Sequence, residues 1–344
     1  MKRIGLMGCG VVATYGHAPA IVQTPGLVLT SVYDPDPVQL ARFKERFPYT
    51  DGYSDLDAFF ASEIDAVSVT SPAPVHFDNV REAAKWGKPV LCEKPLAMND
   101  ADIETMIDIM DSAGLLFATA FCYRFSPVAL RIKEMIQNRV IGDVRALRMI
   151  YIWDLHGKYE YLPNGQRIES PIRVGRMQEG GPMVDCGVHQ IDLVHWWTGA
   201  EVVRQQASAA WVDQHYEAPD HVWLHLDHEN GVHSAIEMSF SYGHTVSESL
   251  SHFSYHIIGT DGLIRFDREG WHFEVRTPQG TQYLPGADEK NFAGMYAEWL
   301  QALQTGNLGN MPSAREGLRV TRIARAATEE AIANHRIFTA LTTK

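Results

Sequence analysis

The chain opens on an apolar run that ends in a glycine-rich turn, and residues 4–13 read IGLMGCGVVA. The run predicts a buried strand, and the residues after it match the pattern G-x-G-x-x-G/A at the start of a predicted helix. Gly8 permits the tight turn, Gly10 lets the backbone approach a pyrophosphate, and Ala13 allows the helix to pack closely on the strand. The N-terminus of that helix adds unpaired N–H groups and a positive dipole. The segment therefore predicts a turn that binds the phosphates of a dinucleotide.

Asp34 follows the second predicted strand, at residues 27–33. In a dinucleotide site, a carboxylate at this place accepts hydrogen bonds from the adenosine ribose and repels a 2′-phosphate. Asp34 therefore favours NAD over NADP as the cofactor. The alternative is that Asp34 is only a turn residue in the sequence DPDP at residues 34–37.

Strands and helices alternate over the first 120 residues, which predicts a parallel, doubly wound sheet. One helix is expected to begin at a cap formed by Asn99 and to stop at Gly114. After Pro127 strands dominate, and turn signals at residues 229–231 and 260–262 predict a large, mostly antiparallel open sheet. We expect an α/β protein with a Rossmann domain over residues 1–121 and an α+β domain for substrate binding and oligomerisation over residues 122–344.

The composition narrows the classes of partner. The 344 residues carry a formal net charge of −12 without a basic block, so nucleic acid and anionic membranes are poor candidates. No stretch approaches the roughly 20 apolar residues of a membrane-spanning helix, and the apolar run at the start is too short for a signal peptide. We expect a cytoplasmic protein that binds a small molecule.

The cysteines and histidines show no metal signature. The four cysteines are far apart and form no C-x-x-C pair, which indicates reduced thiols rather than disulfides or a structural zinc site. His221, His225 and His228 lie in a predicted strand, where the alternatives are a metal site or ordinary hydrogen-bonded histidines. We expect no metal.

Glu93, Lys94 and Pro95 follow a buried strand at residues 89–92. Ligands of open α/β sheets bind outside the carboxyl ends of the strands, which places Lys94 beside the dinucleotide. Its ammonium can donate to a substrate hydroxyl and stabilise a developing alkoxide, and Pro95 restricts the backbone that aims it. The alternative is a solvated loop with an incidental ion pair.

Several short motifs occur in one order across most of the chain: residues 8–13 with His17-x-Pro19, Thr70-Ser71-Pro72 with His76, Glu93-Lys94-Pro95, Tyr123-Arg124-Phe125-x-Pro127, and Gly180-Gly181 before Asp185-x-Gly187-x-His189-x-x-Asp192. In this combination the chain resembles the Gfo/Idh/MocA oxidoreductase family, which includes glucose–fructose oxidoreductase and inositol dehydrogenases. The resemblance implies homodimers or homotetramers built on the open sheet. It also implies a cofactor site made of Gly8, Gly10, Val11, Val12, Asp34, Thr70, Ser71, Pro72, His76, Glu93 and Lys94.

Asp185, His189 and Asp192 fall at positions i, i+4 and i+7, so they share one face of a helix predicted over residues 182–198. A separate apolar stripe at positions 184, 188 and 191 can pack inward, which puts the polar stripe at the edge of the core. The alternative is charge pairing on a helix surface.

Hydride transfer from a carbinol carbon requires the hydroxyl proton to leave, and histidine can accept a proton near neutral pH. The resemblance implies that His189 is the acid/base and that Lys94 is its partner on the same hydroxyl. It implies that Asp185 is the supporting carboxylate and that Asp192 binds a neighbouring hydroxyl. Lys94 is the alternative base if burial and the nicotinamide cation lower its pKa.

Three aromatic residues are further candidates for substrate contact. Tyr123 follows the last predicted strand of the first domain, and Trp153 and His156 end the first strand of the second. The alternative is that an aromatic residue at the end of a strand packs in the core. The long loop at residues 158–179 carries arginines at positions 167, 173 and 176, which either meet an anionic substrate or are solvated.

Together these features predict an NAD(P)-dependent dehydrogenase or reductase that acts on a hydroxyl of a sugar, cyclitol or related polyol. One alternative is a redox-neutral, NAD-dependent sugar elimination or glycoside cleavage. Another is a non-catalytic regulator that binds NAD and a sugar. The combination of Lys94, His189 and Asp185 argues against the regulator, because a sensor needs no acid/base group.

Overall fold

The computed structural model describes residues 1–213 and 215–342, with side chains up to residue 336. It contains two compact units. The first comprises Met1–Phe125 and Lys290–Arg319, and the second comprises Ser126–Glu289 and the residues from Val320 onward. The structure thus differs from the linear division at residue 121, because residues 290–319 return to the first unit. Phe292 and Leu300 of this segment pack closely against glycines of the first unit. The Phe292 ring lies 2.7 Å from the position that a Cβ of Gly16 would occupy, and Leu300 lies 2.8 Å from the corresponding position at Gly26.

The strands, in chain order, are β1 (Lys2–Met7), β2 (Leu27–Tyr33), β3 (Asp51–Tyr53), β4 (Ala66–Val69), β5 (Val90–Cys92), β6 (Phe117–Thr119), β7 (Val144–Ile152), β8 (Tyr159–Tyr161), β9 (Arg167–Glu169), β10 (Val202–Ala210), β11 (His221–His228), β12 (His233–Ser239), β13 (His252–Gly259), β14 (Leu263–Asp267), β15 (His272–Thr277) and β16 (Gly280–Leu284). The helices are α1 (Ala18–Gln23), α2 (Pro37–Arg46), α3 (Leu56–Ala61), α4 (His76–Lys85), α5 (Asp100–Ser112), α6 (Pro127–Gln137), α7 (Pro171–Gln178), α8 (Val188–Thr198), α9 (Phe292–Thr305) and α10 (Ala314–Thr342). Across the described residues, none of these helices has the length and apolarity that crossing a membrane requires.

The first unit contains a six-stranded parallel sheet in the order β3-β2-β1-β4-β5-β6. This order confirms the predicted doubly wound Rossmann sheet. The expected cap of α5 is present, because the Asn99 side chain accepts the N–H of Asp102 at 2.9 Å. The three-residue edge strand β3 was not expected, because three residues are too few to show strand periodicity.

The second unit contains an eight-stranded sheet in the order β10-β11-β12-β7-β13-β14-β15-β16. Only the β7–β12 pair is parallel among these described strands, which confirms the expected, mostly antiparallel sheet. The segment at residues 158–179, expected as a loop, contains the hairpin β8–β9 and helix α7. Its strands are too short to show a strand pattern in the sequence.

Two helices begin with a wider, π-helical turn, at Ala13–His17 before α1 and at Met183–Gly187 before α8. Because a π-turn closes i→i+5 rather than i→i+4 bonds, the spacing between Asp185 and His189 is not that of a regular α-helix. The apolar stripe at positions 184, 188 and 191 is buried as expected. The polar stripe is buried too, since Asp185, His189 and Asp192 are 6%, 5% and 0% exposed. The polar stripe is thus almost as inaccessible to solvent as the apolar stripe.

Candidate active site

The glycine turn has the shape of a phosphate cradle. Gly8 has φ of +100°, and a Cβ there would lie 2.6 Å from the backbone nitrogen of Ser71, so only glycine fits. At Gly10 the place a Cβ would occupy has no described atom within 4 Å beyond the neighbouring residues of the chain. A continuous helical stretch, residues 11–23, starts directly after it, and Val11 is 69% exposed while Val12 is partly exposed. The turn therefore presents open space at a helix N-terminus, which suits a pyrophosphate.

The residues that follow β4 contact the glycine turn. The Thr70 hydroxyl donates to the carbonyl oxygens of Gly8 at 2.8 Å and Met7 at 3.1 Å. The next residue, Ser71, accepts a hydrogen bond from Asn79 at its hydroxyl, 2.8 Å away, and Pro72 after it is exposed. Thr70 is buried, so its side chain stabilises the turn, while Ser71 and Pro72 lie nearer the surface.

Asp34 is fixed at the end of β2 by two backbone contacts. Its Oδ2 accepts the N–H of Cys9 at 2.8 Å, and its Oδ1 accepts the N–H of Asp36 at 2.9 Å. Each carboxylate oxygen keeps a second lone pair for a ribose hydroxyl. Burial, and then the charge of Asp34, raise the pKa of the Cys9 thiol to about 12, so this thiol stays protonated. The contact to Asp36 is that of a turn residue, and the role of Asp34 as a ribose ligand stays a prediction.

A chain of buried hydrogen bonds leads to the segment that carries Lys94. Glu93 places Oε1 at 2.8 Å from Nε2 of His17 and accepts the N–H of Lys94 on Oε2 at 3.2 Å. On the other side of its ring, Nδ1 of His17 lies 2.8 Å from the hydroxyl of Tyr296, which donates to Ser68 at 2.8 Å. Burial raises the pKa of Tyr296, so it stays a neutral hydroxyl. Tyr296 carries no local signal in the sequence and was not among the predicted site residues.

His76 lies beneath the same segment and is fully buried. Its Nε2 is 2.7 Å from the carbonyl oxygen of Ser71 and its Nδ1 is 3.0 Å from that of Pro95. Burial lowers the pKa of His76, so the ring is neutral near pH 7 and donates to one carbonyl at a time. The sequence predicts His76 as a cofactor residue, and the structure shows it bridging two backbone positions of the predicted site.

In the second unit, Asp185 lies beside an arginine. Nε of Arg176 is 3.6 Å from Oδ1 of Asp185, and its Nη1 is 2.7 Å from Glu179. The charge of Asp185 is the main cause that raises the pKa of Arg176. The thiol of Cys186 donates to Oδ2 of Asp185 at 3.3 Å. Asp185 is therefore held as one half of an ion pair.

The other arginines of the 158–179 segment also have partners inside the protein. Arg173 is fully buried, lies 3.5 Å from Asp220 and donates to Ser241. The guanidinium of Arg167 lies 4.2 Å from the centroid of the Tyr159 ring. The structure therefore gives no support to an arginine cluster that awaits an anionic substrate.

The aromatic candidates lie on both units. Trp153 stacks on Tyr151 with centroids 5.7 Å apart and meets the ring of His156 edge-on at 4.9 Å. His156 is exposed and has φ of +61°, a left-handed conformation that a non-glycine residue adopts at a turn. The buried Trp153 Nε1 meets no hydrogen-bond partner among the described residues. Tyr123 belongs to the first unit and is buried in the turn Cys122–Phe125.

The six-stranded sheet and the glycine turn define a Rossmann fold of the dinucleotide-binding class, and sequence profiles agree. The profile of the Gfo/Idh/MocA oxidoreductase family, described as an NAD-binding Rossmann fold, matches residues 2–121. The profile of the GFO/IDH/MocA C-terminal domain matches residues 129–265. The chain belongs to the Gfo/Idh/MocA oxidoreductase family.

Curated relatives in this family are named as dehydrogenases of sugars and cyclitols. The chain is 30% identical to myo-inositol 2-dehydrogenase of Thermotoga maritima over 58% of this chain and 56% of that protein. It is 28% identical to D-glucoside 3-dehydrogenase of Escherichia coli over 59% of this chain and 55% of that protein. The chain thus spans just over half the length of these two relatives. It is 24% identical to D-apiose dehydrogenase of Rhizobium rhizogenes over 95% of this chain and 94% of that protein.

Solved structures share the fold over the whole chain. An oxidoreductase from Agrobacterium radiobacter, in complex with NAD+, L-tartaric acid and magnesium, superposes with a TM-score of 0.81 at 21% identity and 96% coverage of both chains. An aldose-aldose oxidoreductase from Caulobacter crescentus, complexed with glycerol, gives a TM-score of 0.80 at 21% identity, covering 97% of this chain and 98% of that one. These likenesses establish the architecture.

Proposed function

We propose that the protein is an NAD-dependent oxidoreductase that transfers a hydride between nicotinamide and a hydroxyl-bearing carbon of a sugar, cyclitol or related polyol. The observation that carries the proposal is the glycine turn, where Gly10 leaves open space at a helix start and Asp34 is fixed by the N–H of Cys9. Bound NAD supplies the hydride acceptor. The family and its named dehydrogenases support the same reaction class.

The backbone of Gly8, Gly10, Val11 and Val12 binds the pyrophosphate in this proposal. Asp34 binds the adenosine ribose and its charge disfavours a 2′-phosphate, which supports NAD over NADP. The residues at the ends of the next strands, Thr70, Ser71, Pro72, Glu93 and Lys94, with His76 behind them, form the remainder of the cofactor site.

For the chemistry, we assign the proton transfer to His189 and a hydrogen bond to the same substrate hydroxyl to Lys94. In this assignment Asp185 is the carboxylate that supports the cationic ring of His189, and Asp185 is itself paired with Arg176. Asp192 binds a neighbouring hydroxyl. His156, Tyr123 and the unpartnered Nε1 of Trp153 are the proposed contacts to the rest of the polyol.

The charges of the second unit favour a neutral substrate. Arg173 and Arg176 are each matched by carboxylates of the same unit, Asp220 for the former and Asp185 and Glu179 for the latter. A sugar acid would have to displace these partners, and a matched charge offers little extra attraction to an anion. A neutral polyol needs only hydroxyl partners, which carboxylates, histidine and tryptophan supply.

We also propose a homodimer or homotetramer in the cytoplasm. The large sheet exposes apolar side chains on separate strands, with Val203 65%, Ile258 53% and Tyr283 68% exposed, and a second copy packed on this sheet would cover them. The four cysteines are buried free thiols, as suits a reducing compartment. Light scattering on the purified protein tests the assembly, and a monomer at micromolar concentration would contradict it.

The test of the reaction is the absorbance of reduced nicotinamide when the protein, NAD and a panel of neutral sugars and inositols are mixed. We expect turnover with at least one neutral polyol, its loss in His189→Ala with NAD affinity retained, and its loss in Lys94→Ala. A chromogenic glycoside cleaved without accumulation of NADH would identify the redox-neutral alternative instead. NAD binding without turnover on any candidate would favour a regulator.

A further inference from the structure

Lys94 lies between Glu93 and Pro95, and each of these two neighbours contacts a buried histidine. On its N-terminal side, Glu93 receives His17 Nε2 on one carboxylate oxygen at 2.8 Å and the Lys94 N–H on the other at 3.2 Å. On its C-terminal side, the carbonyl oxygen of Pro95 lies 3.0 Å from Nδ1 of His76. Both histidines are fully buried. The backbone of Lys94 is therefore bracketed by side-chain contacts on both sides.

Each histidine is itself anchored at the end of the same strand, β4. His76 reaches the carbonyl of Ser71, which follows β4, and His17 reaches Tyr296, whose hydroxyl donates to Ser68 of β4. The two contacts thus tie the segment after β5 to its neighbouring strand. Two independent anchors on one strand restrict the movement of the segment that carries Lys94.

From this geometry we infer that His17 and His76 are positioning residues that aim Lys94, an inference that rests on the proposed role of Lys94 in catalysis. Lysine carries its charge on a flexible four-carbon stem, so the place of its ammonium depends on how well its backbone is fixed. His17 acts through Glu93, because a carboxylate has no proton to give and the His17 Nε2–H must donate to it. Neither histidine needs to touch the substrate or the cofactor.

Two amide substitutions separate the two contacts of His17. The side-chain amide of glutamine extends about as far as Nε2 of the histidine and can still donate to Glu93. The amide of asparagine ends near the position of Nδ1, so it can reach Tyr296 but not Glu93. We expect His17→Gln to keep kcat within about threefold, and His17→Asn to lower kcat at least about tenfold, because a small displacement of a catalytic group is costly. The Kd for NAD, from fluorescence titration, should stay within about twofold in both, since the glycine turn is unaffected.

Chemical labelling provides a readout without turnover. We measure the rate of reductive methylation of Lys94 by peptide mapping, relative to the exposed Lys85 in the same sample. His17→Asn should change this ratio by at least about threefold and His17→Gln should not, because only the former frees Glu93 and the Lys94 backbone. Glu93→Gln, which keeps the size of the side chain, should act like His17→Asn and replaces it if that variant does not fold.

The outcomes separate this inference from the proposed reaction. Equal kcat and equal labelling in the asparagine and glutamine variants would overturn the positioning role. A changed labelling ratio in a protein that oxidises no polyol would support the positioning of Lys94 while the proposed reaction fails. A loss of stability alone, with kcat and labelling unchanged in the folded fraction, would show that His17 only fills the core and would also overturn the inference.

Discussion

Nε of Arg176 lies 3.6 Å from Oδ1 of Asp185, which is the carboxylate assigned to support His189. Arg176 comes from α7, in a segment expected as a loop, and Asp185 from the π-turn before α8. Because Asp185 is only 6% exposed, its charge needs a partner within the protein. Arg176 is such a partner, because it brings a positive charge to the carboxylate.

Replacing this cation should therefore lower activity. We expect Arg176→Met to reduce kcat/KM by about tenfold or more, since the buried carboxylate loses its counter-charge. Arg176→Lys should restore part of the loss. Arg139→Met, which removes an arginine that is 70% exposed and paired with Asp143, is the matched control and should leave kcat/KM unchanged. Full activity in Arg176→Met would show that the ion pair has no role.

The two glycines of the turn should respond differently to alanine. Gly8→Ala forces a side chain into a left-handed backbone 2.6 Å from Ser71, and we expect it to lower the free energy of unfolding by about 1–3 kcal/mol. Gly10→Ala places its Cβ in open space, so stability should be unchanged. Its affinity for NAD should fall at least about tenfold, because the methyl occupies space that the phosphate needs. Urea denaturation measures the free energy of unfolding, and NAD titration measures the affinity. Tight NAD binding by Gly10→Ala would contradict the proposed phosphate site.

Asp34 should determine the choice between the two dinucleotides. Asp34→Asn keeps the shape and an oxygen acceptor but removes the negative charge that repels a 2′-phosphate. We expect the ratio of Kd for NADP to Kd for NAD to fall by about tenfold. Asp36→Asn, two residues further on, is the control, because asparagine caps the N-terminus of α2 about as well as aspartate does. An unchanged ratio in Asp34→Asn would remove Asp34 from the ribose site.

Acid should destabilise the fold through buried histidines. Burial lowers the pKa of His76 in the folded protein below its ordinary value, so the unfolded chain binds this proton more readily. The stabilising contribution is complete above about pH 6.5, the ordinary pKa of histidine, and is lost as the pH falls toward the lower folded value. Burial lowers the pKa of His228 and His256 as well, so they act in the same direction.

We expect the free energy of unfolding, from urea denaturation, to decrease between pH 7.5 and pH 5.5, with a shallower decrease in His76→Asn. Asparagine can still donate to a carbonyl but takes up no proton in this range. An identical pH dependence in the two proteins would show that His76 does not contribute.

The part of the site that depends on short stretches of chain was predictable. Gly8 and Gly10 are two residues apart, and Asn99 caps its helix within three residues, so their roles follow from local backbone rules. The assignments of His189, Lys94 and Asp192 stay predictions from family resemblance. The contacts of Arg176 and Tyr296 could not be predicted, because neither residue has a distinctive neighbour in the sequence.

The sequence by itself determined the two-domain α/β class, the dinucleotide turn and the family, since glycine spacing, strand periodicity and motif order are properties of neighbouring residues. Tertiary structure alone decided that residues 290–319 join the first unit, that Tyr296 connects His17 to Ser68, and that Asp185, His189 and Asp192 are buried. The physical reason is that burial and long-range hydrogen bonds depend on which surfaces the folded chain packs together, and a local pattern carries no record of that packing.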